Sequence, residues 1–348
     1  MSEREDPGPG LRRSDPEEPG IRRRRCGRGF RYFNPDGSPL RDPAEIARVK
    51  ALVIPPAWTE VWICASPDGH IQAVGVDKAG RRQYRYHDAW RESRDREKHD
   101  RMLDFAAVLP LIRDSVTERL ADRGFGRERV LAAAVRLLDL GLFRAGGEEY
   151  AAQNRTYGLA TVHREHVHCS GGQIRFDYVA KGSKQRVQAV AEERVCKVVI
   201  GLKRRRDDNP ELLAYRDGSD WHNVRTDDIN GYIREIAGGD FTAKDFRTWH
   251  ATVLAAVGLA VSTEAVNGSA AARRRAVARV VAEVADYLGN TSAVARASYI
   301  DPQIVDLYER GITIDRALTH LGAETGIGEL ATQGQAEQTV RRLLLRHR

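Results

Sequence analysis

The chain has 348 residues, a formal net charge of +7 and 41% hydrophobic residues. This length and composition fit a soluble globular protein of two or three domains, and no apolar run approaches the roughly 20 residues of a transmembrane helix. The polar N-terminus lacks a secretory signal pattern, and the four scattered cysteines include no CxxC pair. We therefore expect a cytoplasmic protein without disulfides or structural zinc.

Arginine dominates the basic residues, since only eight of the 56 are lysine. Guanidinium groups bind phosphate oxygens in a bidentate way, so the positive charge is consistent with a polyanionic partner. The basic runs at 22–25, 203–206 and 273–275 favour the same partner. Taken singly, each run is equally compatible with a solvated face.

The first 28 residues combine Pro, Gly, Arg and acidic residues with few apolar ones. Such a segment buries too little surface to fold, which predicts a disordered basic arm over 1–28. Residues 29–95 form the next predicted domain, which is β-rich and binds DNA. Its strands start at Val61, cover 71–76 after the turn 66–70, and resume at Gln83 after a second turn.

The stretch "YRYHDAWR" (84–91) interleaves aromatic residues, arginines and a histidine on a predicted strand. Strands of this kind can enter a major groove while their arginines hold phosphates. An edge strand with a polar outer face is the alternative. The residues that we predict to contact DNA here are Arg81, Arg82, Gln83, Tyr84, Arg85, Tyr86 and His87.

Residues 96–348 are predicted to form a mainly helical domain. The patterns indicate two helices over 103–125 with Pro110 early in the second, a helix over 127–146, and a helix over 277–288 that Gly289 stops. Three antiparallel strands within 162–190 interrupt the helices, joined at 170–172 and 181–184. The predicted fold class is α+β, a small antiparallel N-terminal sheet followed by this helical domain with a three-stranded hairpin region.

The sequence patterns typical of nucleotide hydrolysis and of metal binding are missing or incomplete. There is no GxxxxGK[ST] loop and no GxGxxG between a strand and a helix, so nothing predicts nucleotide hydrolysis. The stretch "HREHVHC" (163–169) offers three histidines and a cysteine. Strand alternation places His166 and His168 on one face and Cys169 on the other, so we predict no metal site here.

Five separated blocks carry the most specific signal. They are "IPPAW" (54–58), "RAGGEEYAAQNRTYGLATV" (144–162), "DYVAK" (177–181), "KDFRTWHAT" (244–252) and "LGNTSAVARASYID" (288–301). In this order they resemble the type IB DNA topoisomerases, specifically the small poxvirus-like enzymes of bacteria, over about residues 30–310. The catalytic set that this resemblance implies is Arg144, Lys181, Arg247, Asn290 and Tyr299, with Lys244 as an auxiliary phosphate contact.

The resemblance implies that Tyr299 attacks a DNA phosphate and that Lys181 acts as general acid. A tyrosine phenol titrates only near pH ~10 and needs such assistance. Two arginines, Arg144 and Arg247, would stabilise the charge on the phosphate, with no metal or other cofactor, and neighbouring arginines would depress the pKa of the lysine. Poxvirus and eukaryotic members have histidine where this chain has Asn290, whose amide donates a hydrogen bond but carries no charge.

The implied function is transient cleavage of one DNA strand through a 3′-phosphotyrosyl link, followed by strand rotation and religation without ATP. The implied protein is a monomeric clamp on double-stranded DNA, associated with the nucleoid in the bacterial cytoplasm. Two alternatives stay open. A tyrosine recombinase shares the nucleophile, although the N-terminal sheet and "KDFRT" in place of a His-x-x-Arg block argue against it. A non-catalytic DNA-binding protein of the same fold is the other, and the tail 311–348 has no assigned role.

Overall fold

A computed structural model describes residues 10–141, 143–147, 155–263, 269–314, 318 and 332–348, with no side-chain description at 263. The chain divides into two compact units, 1–100 and 101–348. The predicted α+β class is confirmed, since an antiparallel sheet comes first and a mainly helical unit with a three-stranded sheet follows. No helix among these residues is long and apolar enough to span a membrane.

The first unit is built on one antiparallel sheet whose strand order is β2-β1-β3-β4-β5. The strands are β1 (Ile21–Cys26), β2 (Gly29–Phe33), β3 (Thr59–Ile63), β4 (Ile71–Val76) and β5 (Arg82–Tyr86), and helix α1 is Pro43–Ala51. The predicted strands β3, β4 and β5 are confirmed. Both faces of β3 are covered: Val61 and Ile63 pack in one cluster, and Trp62 and Cys64 in another.

Strand β1 shows that the prediction of a disordered arm over 1–28 is wrong for Ile21–Cys26. This strand pairs with β2 and β3, and Ile21 is buried in the core of the sheet unit. Its alternation turns Arg23 inward, where the guanidinium donates hydrogen bonds to the carbonyls of Ile54, Pro55 and Trp58 at 2.8–3.1 Å. The inward arginine of this basic run therefore has backbone acceptors, which favours the strand. Residues 1–9 lie outside the described part of the chain.

The second unit contains most of the helices. Helix α2 begins in the first unit and runs across the boundary. The helices are α2 (Asp88–Leu120), α3 (Arg127–Gly141), α4 (Glu193–Lys203), α5 (Thr226–Ala237), α6 (Ala243–Thr263), α7 (Ala270–Leu288), α8 (Ser292–Ser298), α9 (Pro302–Glu309) and α10 (Gln335–His347). The strands are β6 (Val167–Ser170), β7 (Gln173–Ala180), β8 (Lys184–Val190), β9 (Ala214–Asp217) and β10 (Asp220–Asn223). The three-stranded sheet β6-β7-β8 is confirmed, whereas the β9–β10 hairpin was not predicted.

Two helix boundaries differ from the predictions. The region 103–120 belongs to the single helix α2, with Pro110 inside it. An interior proline costs about 3 kcal/mol, but Leu109 and Ile112 on either side are buried in the same core, and this packing offsets the cost. Helix α3 ends at Gly141 and not at 146, because the Phe143 ring folds back to where a side chain at Gly141 would stand.

The tail forms helix α10, which joins a buried group of charges. Glu337 accepts hydrogen bonds from Arg113 at 2.6 Å and from the Trp249 indole at 3.0 Å. The same arginine pairs with Asp139 at 2.9 Å, and the His250 ring lies 3.0 Å from that carboxylate. Buried charges are stable only when paired in this way. Helices α2, α3, α6 and α10 are thereby tied together.

Asp139→Asn should destabilise the protein by about 3–5 kcal/mol at neutral pH, because Arg113 would be left buried with a missing counter-charge. Burial by itself raises the pKa of Asp139, but the charge of Arg113 and the hydrogen bond from His250 hold it well below its ordinary value. The contribution of Asp139 is therefore present above the unfolded carboxyl pKa of ~3.9 and is lost as pH falls. Urea unfolding should show that the free energies of unfolding of Asp139→Asn and the unmodified protein become equal at acid pH.

The control for this measurement is Glu193→Gln, which breaks an exposed pair with Lys197 on α4. Solvent screens such a pair, so its unfolding curve should match that of the unmodified protein. An equal loss of unfolding free energy in Asp139→Asn and Glu193→Gln would contradict a special role for the buried charges around Asp139.

Candidate active site

A cavity of about 210 Å³ opens in the second unit. It lies among the loop after α3, the β7–β8 hairpin, helix α6 and the end of α7. Its lining includes Arg144, Tyr178, Lys184, Arg186, Arg247 and Gly289. Four cationic side chains in so small a space favour an anionic ligand.

The end of α7 sets the position of the two residues from the last sequence block. Gly289 adopts a left-handed conformation with φ +65°, as predicted for a helix stop. The amides of Gly289 and Asn290 bond back to the carbonyls of Asp286 and Ala285, which is the Schellman arrangement. Thr291 then caps α8 by accepting a hydrogen bond from the Val294 amide.

Tyr299 directly follows α8. Its backbone is tied to the core, because the Thr252 hydroxyl of α6 donates to the Tyr299 carbonyl at 3.2 Å. The residue is 9% exposed, and the Arg247 guanidinium carbon lies 5.3 Å from the centre of its ring. Helix α6 therefore holds both the backbone and the aromatic ring.

Electrostatics make the Tyr299 phenol more acidic than usual. Burial by itself raises the pKa of Tyr299, but the charges of Arg247 and Arg144 and a hydrogen bond from Arg247 outweigh burial and lower it. The charge of Lys244 acts in the same direction. A lowered pKa increases the phenolate fraction, which is the nucleophilic form.

Arg247 is 3% exposed and lies in the first turns of α6. One of its Nη atoms donates to the Leu288 carbonyl at 2.8 Å. Burial lowers the pKa of Arg247 to about 10, and the nearby Arg144 charge adds to the effect. The group is still a cation at neutral pH.

Arg144 lies in the loop after α3 and not on the helix end. Its guanidinium donates to the Asn290 side-chain oxygen, and also to the Gly289 carbonyl at 3.3 Å. Because arginine only donates, the amide oxygen of Asn290 must face it, and the amide nitrogen points away. That Nδ2 is buried and has no hydrogen-bond partner among the described residues.

The glycines around Arg144 explain why its loop can be so close-packed. A side chain at Gly158 would stand 2.4 Å from the Cα of Gly146. Two backbones therefore touch here, and the Leu159 amide bonds to the Arg144 carbonyl at 2.8 Å.

The structure brings four of the five predicted catalytic residues together, namely Arg144, Arg247, Asn290 and Tyr299. Arg144 bonds to Asn290, and Arg247 contacts Tyr299. Lys181 is exposed in the β7–β8 turn and does not line the cavity.

The seven predicted DNA contacts in the first unit fall into two groups. Arg82, Tyr84 and Tyr86 share one face of the edge strand β5, with the rings of Tyr84 and Tyr86 stacked at 6.0 Å. Tyr84 is 41% exposed. Arg82 is also exposed, whereas Tyr86 is half-buried and its ring stacks on Trp90 at 4.1 Å.

The remaining four make intramolecular bonds. Arg81 and Gln83 bind the Asp77 carboxylate at 2.9–3.0 Å, and Arg85 donates to the Leu52 carbonyl at 2.7 and 2.9 Å. The His87 ring accepts from the Ala89 amide at the start of α2.

The histidine-rich stretch differs from the predicted strand. Residues Arg164–His166 form a turn of 3₁₀ helix, and ligand atoms of His163, Glu165 and His166 lie within 4.8 Å of one another. The Nδ1 atom of His166 accepts a hydrogen bond from the His163 amide at 3.1 Å. Its Nε2 must then carry the proton, which blocks metal binding through that atom.

Arg186 and Lys184 were not singled out from the sequence, although both line the cavity. Strand pairing is the signal that could have found them. In the β7–β8 register Arg186 lies opposite Tyr178, whose side chain points into the core. Alternation therefore places Lys184 and Arg186 on the inward face of β8.

Comparison with known proteins identifies the family. A family model described as the catalytic core of eukaryotic DNA topoisomerase I matches residues 87–321. A second model, the N-terminal domain of bacterial DNA topoisomerase IB, matches residues 29–77.

Individual relatives agree with these matches. DNA topoisomerase 1B of Acanthamoeba polyphaga mimivirus is 29% identical over 296 residues, which cover 83% of this chain and 88% of the viral protein. DNA topoisomerase 1 alpha of Arabidopsis thaliana is 27% identical over 162 residues, or 46% of this chain and 16% of the plant protein. The chain belongs to the type IB DNA topoisomerase family.

Proposed function

We propose that this protein relaxes positively and negatively supercoiled DNA without ATP, through a covalent link between Tyr299 and a 3′ phosphate. The observation that carries the proposal is the contact of the Tyr299 phenol with Arg247, next to the Arg144–Asn290 pair. Nucleophile and phosphate-binding groups are thus within reach of one phosphorus atom. Family membership supports DNA as the substrate.

In the proposed reaction the Tyr299 phenol loses its proton to water and the phenolate oxygen attacks phosphorus. The bond from phosphorus to the 5′ oxygen breaks, and that oxygen takes a proton and leaves as a hydroxyl. The new phosphotyrosyl ester retains the bond energy, so the reverse attack by the 5′ hydroxyl reseals the strand without an energy source. Rotation of the free end before resealing removes supercoils.

The negative charge that develops on the non-bridging oxygens needs fixed donors. Arg247 and Arg144 are the cationic donors, and the Nδ2 atom of Asn290 is a neutral one. Each such donor contributes about 10²–10³ in rate in comparable oxyanion sites. Lys244 is proposed as an auxiliary phosphate contact.

Lys181 is proposed as the general acid for the 5′ oxygen. Lys181 lies in an exposed hairpin turn, and a lysine there can follow a bound strand. The sheet unit is proposed to add DNA contacts, so that a single chain clamps duplex DNA in the nucleoid of a bacterial cytoplasm.

Purified protein should relax both signs of supercoiled plasmid in EDTA, and Tyr299→Phe should abolish relaxation and covalent trapping while leaving duplex binding nearly intact. The matched control is Tyr308→Phe, because Tyr308 is buried with no hydrogen-bond partner for its hydroxyl among the described residues. That variant should remain active. Recombined products in place of relaxed circles would favour a tyrosine recombinase, and binding without either product a non-catalytic protein.

Lys181→Ala should slow cleavage, and a substrate with sulfur in place of the 5′ bridging oxygen should rescue it, because a thiolate leaves without a proton. Lys184→Ala is the comparison, since Lys184 bonds to the Asn290 carbonyl and is not expected to donate the proton. Its defect should persist with the sulfur substrate. Rescue of Lys184→Ala and not of Lys181→Ala would reassign the acid.

Arg82→Ala should weaken duplex binding and lower the slope of log K against log salt by about 0.9, the value for one lost phosphate contact. Arg85→Ala should leave that slope unchanged and destabilise the sheet unit, because Arg85 is bound to the Leu52 carbonyl. Titrations at several salt concentrations measure the first effect, and thermal melting measures the second. Equal slopes in all three proteins would exclude Arg82 as a contact.

A further inference from the structure

Four successive backbone carbonyls, the last two of α7 and the two that follow the helix, accept hydrogen bonds from four different cations. Helix geometry leaves the carbonyls of the last turn without amide donors from the helix itself. The donor–acceptor pairs are Arg186 with Tyr287 at 2.5 Å, Arg247 with Leu288 at 2.8 Å, Arg144 with Gly289 at 3.3 Å and Lys184 with Asn290 at 3.1 Å. Of these donors, Arg144 and Arg247 have roles in the proposed mechanism, and Lys184 lines the same cavity. Arg186 has no role in that mechanism.

Arg186 differs from its neighbours because it joins two helix ends. Its Nη1 atom binds the Tyr287 carbonyl of α7, and its Nη2 atom binds the Gly141 carbonyl of α3 at 3.2 Å. A guanidinium fork can hold two acceptors at once in a fixed geometry, which a lysine ammonium cannot do equally well.

The two anchored carbonyls occupy equivalent places in their segments. Gly141 stands three residues before Arg144, and Tyr287 stands three residues before Asn290. Arg144 and Asn290 are hydrogen-bonded to each other. The two segments are therefore joined at their bases by Arg186 and at their tips by the Arg144–Asn290 pair.

Arg186 has further neighbours besides the two carbonyls. The guanidinium is half-buried, and a side chain at Gly289 would stand 3.6 Å from its Nη1 atom. A further contact at 3.4 Å ties Nη2 to the Gln188 side chain on the same strand. Through Arg186, the β7–β8 hairpin is therefore hydrogen-bonded to the ends of both α3 and α7.

We infer that Arg186 is a positioning residue, which fixes the ends of α3 and α7 so that Arg144 and Asn290 meet the same phosphate. The inference rests on the proposed function, since Arg144 and Asn290 act on phosphate only there. Arg186 does not itself contact the reacting atoms. Misplacement by about 1 Å can cost ~10²-fold in rate, so the role is measurable.

Arg186→Met should slow covalent adduct formation with duplex DNA 10- to 100-fold, by the same estimate, and change the Kd for duplex DNA less than twofold. Arg186→Lys should recover only part of the rate, because one ammonium replaces two donors. The matched control is Arg129→Met, since Arg129 also donates to carbonyls at a helix end, those of Leu120, the last residue of α2, and Gly124 in the loop after it. It should form the adduct at the unmodified rate.

A double-mutant cycle distinguishes positioning from general destabilisation. If Arg186 acts through Asn290, then Arg186→Met should slow Asn290→Ala much less than it slows the unmodified protein. If the losses in rate from Arg186→Met and Asn290→Ala are additive, the inference is overturned. It is also overturned if Arg129→Met slows adduct formation as much as Arg186→Met does.

A crystal structure of Arg186→Met provides a readout that does not depend on activity. We expect the Arg144–Asn290 hydrogen bond to be broken and the two segments to have separated. An intact bond would overturn the inference even if the rate falls. If the unmodified protein forms no adduct at all, the proposed function fails, and this structure still decides whether Arg186 positions the pair.

Discussion

Four cations converge on four successive carbonyls at the end of helix α7, and the geometry of the cavity follows from this contact. Clustered like charges repel one another, so a group of cations needs internal compensation. The partial negative charge of a helix C-terminus supplies it. Carbonyl oxygens are weaker partners than carboxylates, and the proposed function uses the remaining positive charge of Arg144 to bind phosphate.

The scaffold behind the cavity makes that arrangement rigid. Helix α6 carries Arg247 on one turn and His250 on the next, and His250 contacts the buried Asp139 of α3. The tail helix α10 adds Glu337 to the same group. Stability and site geometry are therefore coupled, because His250 joins the buried charges and lies one turn from Arg247 on the same helix.

Sequence patterns predicted the elements whose stabilising contacts are local. The stop at Gly289 and the three strands β6–β8 depend on turn residues and on alternation that can be seen in the letters. Strand β1 was missed because its support comes from distant carbonyls that accept from Arg23. The unbroken helix α2 was missed for a similar reason, since only core packing makes Pro110 tolerable there.

The sequence by itself determined the family and the identity and order of the site candidates, because their residue types and flanking blocks are specific. Tertiary structure decided which of them meet. It joined Arg144 to Asn290 and Arg247 to Tyr299, left Lys181 in an exposed turn, and divided the β5 residues into an outward row and an internally bonded set. It also brought in Arg186, whose partners lie 45 and 101 residues away. Contacts over such separations depend on how helices and hairpins pack, and no local pattern encodes them.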